Sequence, residues 1–455
     1  MDIAPRSAHA PPCGQVSDSM RTSILSPSGL ILAVVITSVC PALLAAAEQA
    51  QRPNIVLIMA DDFGYECVGA NGGTSYRTPR LDELARTGLR FTNFHSQPLC
   101  TPTRVQLMTG LYNHRNYIRF GLLDPEAYTF GHLFRSAGMP TYIAGKWQLE
   151  GGLEGPHKFG FDGYTLWQVN RRPPRYPNPG LEIEGQQVDF TQGEYGPDLV
   201  CDALCQFIRE KKDAPFFAYY PMILPHSPHV PTPDSKAWDP TVVGKEGRGN
   251  NKYFADMVAY VDKLVGRVVD TLQEAGLQEQ TLVIFIGDNG TNRAITSMLG
   301  DVPIKGGKGK TTDNGTHVPC ILNWPGQIKP GVHEGLVDLT DFLPTFADLV
   351  GQPLPDHIPF DGTSLLPVLK GTPGPRREWI YCWYERDGKR KQASRHARTV
   401  QHKLYSTGDL YDVLTDPQEQ SPLPADDPQL LPVRSKLQGV LDEMRQSEWQ
   451  KTMTQ

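Results

Sequence analysis

The sequence predicts an α/β fold: a mostly parallel central sheet flanked by helices, followed by a smaller C-terminal α+β region that contains an antiparallel sheet. Two observations predict it. Short apolar runs alternate with amphipathic stretches along most of the chain, which is typical of a sheet covered by helices on both faces. Polar residues follow directly after four of these runs. Since ligands bind at the carboxyl ends of strands in open α/β sheets, we expect a functional site at that edge.

Each of the four predicted strands leads to polar side chains. The strands are residues 54–60, 140–144, 216–220 and 281–286. The polar residues that follow them are, in chain order, Asp61 and Asp62, Lys146, His226, and Asp288 and Asn289. Chance would scatter these groups, so their common position favours one site.

Two helices are predicted from apolar spacing. Residues 79–86 form the first, which Gly88 ends. Residues 253–275 form a longer one. Its apolar residues recur at core spacing and are Phe254, Met257, Val258, Val261, Leu264, Val265, Val268 and Leu272. We interpret them as core residues and not as a cofactor-binding surface.

The domain organisation follows from length and composition. A chain of 455 residues with 39% hydrophobic content can bury a large core in more than one domain. We predict a signal peptide and N-terminal extension at residues 1–50, a catalytic domain at 51–350 and a C-terminal subdomain at 351–455. The net charge of -6 and pI near 6.1 argue against nucleic-acid binding, which needs a basic face.

The N-terminus resembles a secretory signal. Arg21 precedes an apolar run at residues 29–44, and residues 45–47 are alanines that suit an A-x-A cleavage site. This predicts export to the periplasm or the extracellular space, with no stable membrane span after cleavage. An uncleaved membrane anchor is the alternative, and Met20 is an alternative start.

Cysteine usage does not indicate a disulfide framework. Of the eight cysteines, two lie in residues 1–50, and the six that remain are Cys67, Cys100, Cys201, Cys205, Cys320 and Cys382. Cys201 and Cys205 share a predicted helix face, where packing or a local disulfide is expected. No His or Cys cluster accompanies them, so we assign no zinc.

Oxygen ligands dominate the predicted site. Asp61, Asp62, Asp288 and Asn289 offer only oxygen donors, which a hard divalent cation prefers. We expect Ca²⁺, with Mg²⁺ as the alternative. A single Asp after a strand is usually a turn or cap residue, but two acidic clusters on adjacent strands need a counter-charge.

The stretch from Cys100 to Arg104 predicts an anion site. Thr101 can cap a helix, Pro102 suits its first turn, and apolar residues continue it. Cys100 then lies at a helix N-terminus, where free N–H groups favour a thiolate, an oxyanion or a bound sulfate. Arg104, one turn further on, adds a fixed cation. The alternative is a buried structural cysteine.

Several ordered motifs resemble those of type I sulfatases, which belong to the alkaline-phosphatase-like superfamily, over residues 53–423. The first are Pro53-Asn54-Ile55-Val56 with Asp61-Asp62, Cys100-Thr101-Pro102-Thr103-Arg104, Gly145-Lys146-Trp147, Pro225-His226-Ser227-Pro228, Gly287-Asp288-Asn289-Gly290, and Lys308-Gly309 with Val318-Pro319. Later matches are Asp338-Leu339, Pro344-Thr345, Asp361-Gly362, Leu410-Tyr411-Asp412 and Asp416-Pro417.

The resemblance implies hydrolysis of sulfate esters. A maturation enzyme oxidises Cys100 to formylglycine, whose hydrated aldehyde is the nucleophile and also a metal ligand. In the same scheme, Arg104 stabilises the negative charge that develops during attack on sulfur. Lys146 and Lys308 contact the sulfate, and His226 protonates the leaving group. A satisfied loop histidine is the alternative for His226, and a solvated basic loop is the alternative for Lys308.

Two residues depart from the family pattern. Gln148 stands where histidine usually follows Gly-Lys-Trp, and glutamine cannot transfer a proton, although it can still bind the diol or sulfate. His317 stands where the family has arginine. We therefore expect this chain to keep the fold of the family but to differ from other members in reaction rate and substrate.

The C-terminal subdomain begins near Gly351, at the Pro-rich residues 352–359. Residues 379–384 are a predicted strand and residues 430–448 a final helix. The segment 386–403 is basic, with Lys389, Arg390, Lys391, Arg395 and Arg398. It is expected to be a solvated surface hairpin, or else to contact a sulfated glycan.

Three function classes follow from these residues. The leading one is a sulfatase acting on a sulfated small molecule or glycan. The second is a phosphate or phosphonate ester hydrolase of the same superfamily, in which a phosphatase or phosphotransferase would be expected to carry Ser or Thr at position 100 and further histidines for zinc. A catalytically silent protein that binds sulfated glycans is the third, suggested by Gln148.

Overall fold

The computed structural model of the chain describes residues 52–241 and 250–448. The predicted signal peptide and the alternative membrane anchor lie outside these residues. Across the described part, none of the helices combines the length and apolar character needed to cross a bilayer.

The described residues contain sixteen strands. In chain order they are β1 (Asn54–Ala60), β2 (Leu89–His95), β3 (Thr141–Lys146), β4 (Gly163–Trp167), β5 (Gly180–Ile183), β6 (Gln186–Asp189), β7 (Phe217–Pro221), β8 (Thr281–Gly287), β9 (Thr296–Leu299), β10 (Val302–Lys305), β11 (Cys320–Asn323), β12 (Gly331–Asp338), β13 (Ile380–Tyr384), β14 (Ser394–Arg398), β15 (His402–Tyr405) and β16 (Leu410–Asp412).

Eleven α-helices accompany them in the same residues. They are α1 (Pro79–Thr87), α2 (Cys100–Thr109), α3 (Asn113–Asn116), α4 (Phe130–Ser136), α5 (Gly155–Lys158), α6 (Gly196–Glu210), α7 (Phe254–Glu274), α8 (Asp313–Thr316), α9 (Phe342–Val350), α10 (Leu366–Leu369) and α11 (Leu431–Gln446). Both helices predicted from apolar spacing are confirmed, and Gly88 follows α1 directly.

Ten of these strands form one large sheet in the order β12-β2-β11-β8-β1-β7-β3-β4-β5-β6. Among them, β11 and β5 run antiparallel to both of their neighbours, and the other pairs are parallel. The predicted mostly parallel sheet is therefore confirmed. The four predicted strands are neighbours at its centre, in the order β8-β1-β7-β3.

Strand β1 shows why both faces of the sheet are covered. Its seven residues are all buried, and successive side chains of a strand point to opposite faces. Ile55, Leu57 and Met59 pack in a core with residues of α2, α4 and α9. The alternate residues Val56 and Ile58 pack in a second core with α1, α6 and α7. Two helical layers therefore hold the carboxyl end of β1 in place.

The C-terminal region forms the predicted antiparallel sheet, in the order β13-β14-β15-β16, with α11 as its final helix. Residues of β13 and α11 belong to the same core as α2. The boundary at residue 350 stays a prediction. Cys201 and Cys205 are free and buried in α6, which confirms packing and not a disulfide.

The basic segment 386–403 is not a solvated hairpin throughout, so that expectation is wrong for its second half. Arg395 pairs with Glu448 at 3.0 Å, and Arg398 with Asp313 at 2.7 Å. Lys389 and Lys391 remain exposed. The paired cations connect the small sheet to its surroundings and are not available to a glycan.

Candidate active site

The carboxyl ends of β1 and β8 bring the predicted acidic residues together. The two strands pair in parallel with Ala60 opposite Gly287, so the residues that follow them lie side by side. The backbone N–H of Asp288 donates to the carbonyl of Ala60 at 2.9 Å. Asp61, Asp62, Asp288 and Asn289 are all fully buried, as the sequence predicts for a site at this edge.

Backbone and amide donors hold the acidic residues in fixed positions. The N–H of Asp62 donates to Asp288 Oδ1 at 2.8 Å, and Asn289 Nδ2 donates to Asp62 Oδ1 at 2.9 Å. Asp62 has a φ of 65°, which is uncommon for a residue other than glycine. Such backbone conformations cluster at ligand sites, where surrounding contacts maintain them.

Three buried oxygens in this cluster have no hydrogen-bond partner among the described residues. They are Asp61 Oδ1, Asp288 Oδ2 and Asn289 Oδ1. Unpaired buried oxygens are costly, and oxygen donors are the ligands that Ca²⁺ and Mg²⁺ prefer. Ligand atoms of Asp61, Cys100 and Asp288 also lie within 4.8 Å of one another. The donor set therefore fits a hard divalent cation.

Three cations face the three carboxylates. Lys146 Nζ lies 2.7 Å from Asp61 Oδ2, and Lys308 Nζ lies 2.6 Å from Asp62 Oδ1. Arg104 Nη2 is 3.9 Å from Asp288 Oδ2, and Arg104 Nη1 donates to the carbonyl of Lys146 at 2.8 Å. The three positive charges balance the three carboxylates, so a divalent cation adds positive charge that an anionic ligand can offset. Lys308 is therefore not part of a solvated loop.

The pKa shifts of the carboxyl groups follow from burial and from these charges. Burial raises the pKa of Asp61, but Lys146 and other cations outweigh it and hold the pKa below its usual value. Burial and the charges of Asp61 and Asp62 raise the pKa of Asp288 well above its usual value. Asp288 is thus the carboxylate that most needs a further positive charge.

Cys100 is the first residue of α2, and only 2% of it is exposed. Two predictions about this helix start are wrong. Leu99 and not Thr101 occupies the cap position, because the Thr101 hydroxyl accepts instead from the N–H of Gly121 at 3.2 Å. The thiolate is not favoured, because burial raises the pKa of Cys100 more than Lys146 and Lys308 lower it.

His226 lies at the outer side of the cluster, with its Nε2 3.9 Å from Asp62 Oδ2. Burial lowers its pKa to about 3, although Asp61 and Asp62 oppose the shift, so the imidazole is neutral at pH 7. Its Nδ1 lies 3.1 Å from Arg175 Nη1 and 2.5 Å from the carbonyl of Ser227. The first contact favours a proton on Nε2 and the second a proton on Nδ1.

The two departures from the family pattern lie in different places. Gln148 is buried beside the nucleophile position, where its Oε1 accepts from the Thr101 hydroxyl at 3.5 Å. His317 does not join the cluster. Its ring stacks on Tyr65, with centroids 4.0 Å apart, and its Nε2 donates to the carbonyl of Thr92 at 2.8 Å.

Sequence reasoning missed two residues that contact the site. Arg175 is 4% exposed, reaches His226 and lies over the Trp167 ring at 4.1 Å. Thr103 Oγ1 donates to the carbonyl of Asp288 at 2.6 Å and so ties α2 to the end of β8. Arg175 follows a Pro-rich loop without a recognisable motif. Thr103 lies inside the Cys100 motif, which was the available signal.

Comparisons with known proteins agree with this geometry. The family profile described as "Sulfatase" matches residues 53–352, and "N-sulphoglucosamine sulphohydrolase, C-terminal" matches residues 308–447. Arylsulfatase A of Homo sapiens is 34% identical over 445 residues, which is 88% of this chain and 84% of that protein. N-acetylgalactosamine-6-O-sulfatase of Bacteroides thetaiotaomicron is 27% identical over 415 residues, 73% of this chain and 79% of that protein.

A solved structure has the same overall fold as this chain, at a sequence identity similar to that of the bacterial relative. The crystal structure of Ps i-CgsB superposes with a TM-score of 0.76 and 27% identity over 88% of this chain and 94% of that chain. The same protein has been solved in complex with k-i-k-neocarrahexaose.

The fold, with a buried cluster of oxygen donors and cations at the carboxyl edge of its sheet, defines a hydrolase of the alkaline-phosphatase-like superfamily. The chain belongs to the sulfatase family and is a sulfuric ester hydrolase.

Proposed function

We propose that this sulfatase uses a formylglycine made from Cys100 and a divalent cation, with Ca²⁺ as the expected ion and Mg²⁺ as the alternative. The main support for this proposal is a cluster of three buried oxygens that have no hydrogen-bond partner among the described residues, with Cys100 beside it. Asp61, Asp62, Asp288 and Asn289 would hold the ion, together with the modified residue 100. A hydrated formylglycine supplies a diol nucleophile, and the bound cation supplies positive charge beside it.

The cations of the chain bind and orient the sulfate. The ammonium groups of Lys146 and Lys308 are held against Asp61 and Asp62, respectively. Arg104 adds a guanidinium beside Asp288. Lys308 is the more accessible lysine, with 17% of its side chain exposed against 1% for Lys146. We therefore assign Lys308 to the outer sulfate oxygens or the bridging oxygen, and Lys146 to the nucleophile side.

His226 is the proposed donor to the leaving group, once the negative charge of a bound sulfate ester raises the pKa of its buried imidazole enough to protonate it. Its side chain is 15% exposed beside Asp62, so it faces both the cluster and the approach of substrate. Gln148 would hydrogen-bond the nucleophile or a sulfate oxygen, because its amide offers both a donor and an acceptor but exchanges no proton. Proton removal from the nucleophile then falls to another group.

Mass spectrometry of the peptide that contains Cys100 tests the nucleophile. The protein is produced with and without a formylglycine-generating maturation enzyme, the proposed partner. We expect a loss of about 18 Da on conversion of the thiol to an aldehyde, together with turnover of a sulfate ester. A peptide that stays entirely as thiol in an active preparation would overturn the proposal.

Gln148 favours one second candidate, a silent protein that binds sulfated glycans without turnover. Binding of a sulfated oligosaccharide by the matured protein, with no release of sulfate over days, would support it. A phosphate or phosphonate ester hydrolase is separated by measuring aryl sulfate, phosphate and phosphonate hydrolysis side by side.

The sulfated substrate is proposed to meet the enzyme outside the cytoplasm, in the periplasm or extracellular space, after cleavage of the signal peptide at the alanines of residues 45–47. The apolar run and the alanines that follow it support export. N-terminal sequencing of the secreted protein tests it, and a first residue near Glu48 is the expected result.

A further inference from the structure

A cavity opens beside the acidic cluster, on the side of Gln148. It measures about 640 Å³ and is lined by Gln148, Gln168, Asn170, Arg172, Phe120, Gly121 and Glu150, among others, and the Glu150 carboxylate is paired with Arg119 at 2.6 Å. Two of these residues contact Thr101, the residue after Cys100: the N–H of Gly121 at 3.2 Å and Gln148 Oε1 at 3.5 Å. We call this cavity the Gln148 cleft. A ligand in it would lie next to the nucleophile position.

Arg172 is the uncommitted cation of this cleft. Its neighbour Arg171 is bound to Glu182 at 3.0 Å and Asp189 at 2.7 Å. Arg172 is exposed, and it has neither an ion pair nor a side-chain hydrogen bond within residues 52–241 and 250–448. A guanidinium left unpaired at the wall of a cleft is suited to bind a carboxylate or a sulfate in bidentate geometry.

The cleft also presents the amide side chains of Gln148, Gln168 and Asn170. Gln168 Oε1 is buried without a hydrogen-bond partner among the described residues. Gln148 and Gln168 both have positive φ, 57° and 65°, and the N–H of Gln148 donates to the carbonyl of Gln168 at 3.2 Å. Strained backbone of this kind is kept where it positions groups for a ligand.

These features favour a saccharide over an apolar leaving group. Sugar hydroxyls can hydrogen-bond the amide side chains of the cleft wall, whereas an aryl or steryl group would cover these polar groups and desolvate Arg172. Phe120 adds an apolar wall, and the Arg386 guanidinium covers its ring at 4.7 Å.

We propose that the Gln148 cleft is the leaving-group site for an acidic saccharide, in which Arg172 binds an anionic group, carboxylate or second sulfate, on the sugar that carries or adjoins the ester. This inference rests on the proposed function and names its substrate class. Arg172 acts as a specificity residue, since it touches the leaving group and not the sulfur.

Matched substrates test the inference on the matured full-length enzyme. Three sulfated disaccharides differ only in the sugar next to the ester, which carries a carboxylate, a second sulfate or no charge. 4-Nitrophenyl sulfate, which carries neither a sugar nor a second anionic group, is the fourth substrate. Arg172→Ala is expected to lower kcat/KM roughly tenfold or more for one or both acidic substrates, mainly through KM, and less than twofold for the others.

Arg376→Ala is the matched control. Arg376 is also exposed, and its charge acts on His333 in β12, at the opposite edge of the sheet from β4 and the loop that carries Arg172. We expect it to change no substrate by more than twofold. Arg172→Glu should reverse the preference, so that the neutral disaccharide becomes the best of the three.

The outcomes separate this inference from the proposed function. If Arg172→Ala affects acidic and neutral disaccharides equally, or affects neither, the inference is wrong while the sulfatase mechanism stands. If the wild type cleaves none of the four esters, the proposed function fails. In that case, calorimetry of the same disaccharides still tests the role of Arg172. The wild type must bind the acidic disaccharides more tightly than the neutral one, and Arg172→Ala must remove that difference.

Discussion

The hydroxyl of Thr101 donates to Gln148 Oε1 at 3.5 Å and accepts from the N–H of Gly121 at 3.2 Å, so Gln148 is attached to the helix that begins at Cys100. This side chain therefore lies within reach of whatever nucleophile residue 100 provides. An amide at this place can hold a hydroxyl group but cannot take its proton.

We expect Gln148→His to raise kcat for an aryl sulfate by about tenfold, because an imidazole supplies the missing acid–base group. The φ of 57° at this position is one that histidine tolerates better than most residues. Steady-state kinetics across pH 5–9 measures the effect, and the gain should grow as the imidazole loses its proton.

Gln168→His is the control for that change. Gln168 lines the same cleft with a φ of 65° but has no contact with Thr101 among its described hydrogen bonds. It should leave kcat within twofold. An equal gain in both variants, or none in either, would show that proton transfer at Gln148 does not limit the rate.

Replacement of Cys100 should remove activity and leave the fold. Cys100→Ala is expected to lower kcat at least about 10³-fold, since the nucleophile is lost. The thermal midpoint should fall by no more than about 4 °C, because one sulfur atom leaves a small cavity. Cys205→Ala, a buried cysteine in α6 away from the site, should cost similar stability and keep full activity.

Much of the site was predictable because its residues are fixed by local sequence. Asp61, Asp62, Asp288 and Asn289 directly follow apolar runs, and parallel strands bring such ends to one edge. The order of the four strands in the sheet could not be predicted from these apolar runs, because strand pairing depends on contacts between segments far apart in the chain.

Pairings across long sequence separations were not predictable. Lys308 meets Asp62 across 246 residues, and the contact of Arg175 with His226 has no motif. The thiolate prediction failed for a related reason. Helix position favours charge on Cys100, but burial by the whole fold opposes it, and only the folded chain decides which effect is larger. The ion pairs of Arg395, Arg398 and Lys403 with buried or half-buried carboxylates were not predictable for the same reason.

Removal of divalent cations should abolish turnover and lower stability together. Chelation is expected to reduce kcat/KM more than about 100-fold, and Ca²⁺ to restore it. Because the ion binds only the folded cluster, saturation at 100 times Kd adds about 2.7 kcal/mol to the free energy of unfolding. Thermal denaturation with and without Ca²⁺ measures this gain.

Asp61→Asn should lose the calcium-dependent rise in thermal midpoint, since a charged ligand is gone. Asp270→Asn, which alters an exposed pair with Arg80, should retain it. Full activity of the wild type in the presence of chelator would exclude a metal at this cluster.

The ion cluster between the large and small sheets should control stability in acid. Asp313 lies 2.7 Å from Arg398 Nη1 and 3.5 Å from Lys403 Nζ, and Lys403 is fully buried. Burial raises the pKa of Asp313, but Arg398 and Lys403 outweigh it and hold the pKa below its usual value. A depressed folded pKa means that this carboxylate stabilises the fold above the unfolded pKa, about 3.9, and that the gain is lost as the pH falls toward the folded value.

Asp313→Asn should therefore lower the free energy of unfolding by about 3 kcal/mol at pH 7, since it leaves the buried Arg398 without a carboxylate partner, whereas Lys403 keeps Glu419 at 2.7 Å. The difference from the wild type should narrow only below about pH 4, where the unfolded chain takes up the proton. Urea denaturation at pH 7, 5 and 3.5 measures it. Asp387→Asn, in an exposed pair with Arg386, should cost less than about 1 kcal/mol at every pH. A difference for Asp313→Asn that is small at pH 7 and grows in acid would contradict the assigned direction of the pKa shift, because only a raised folded pKa produces that slope.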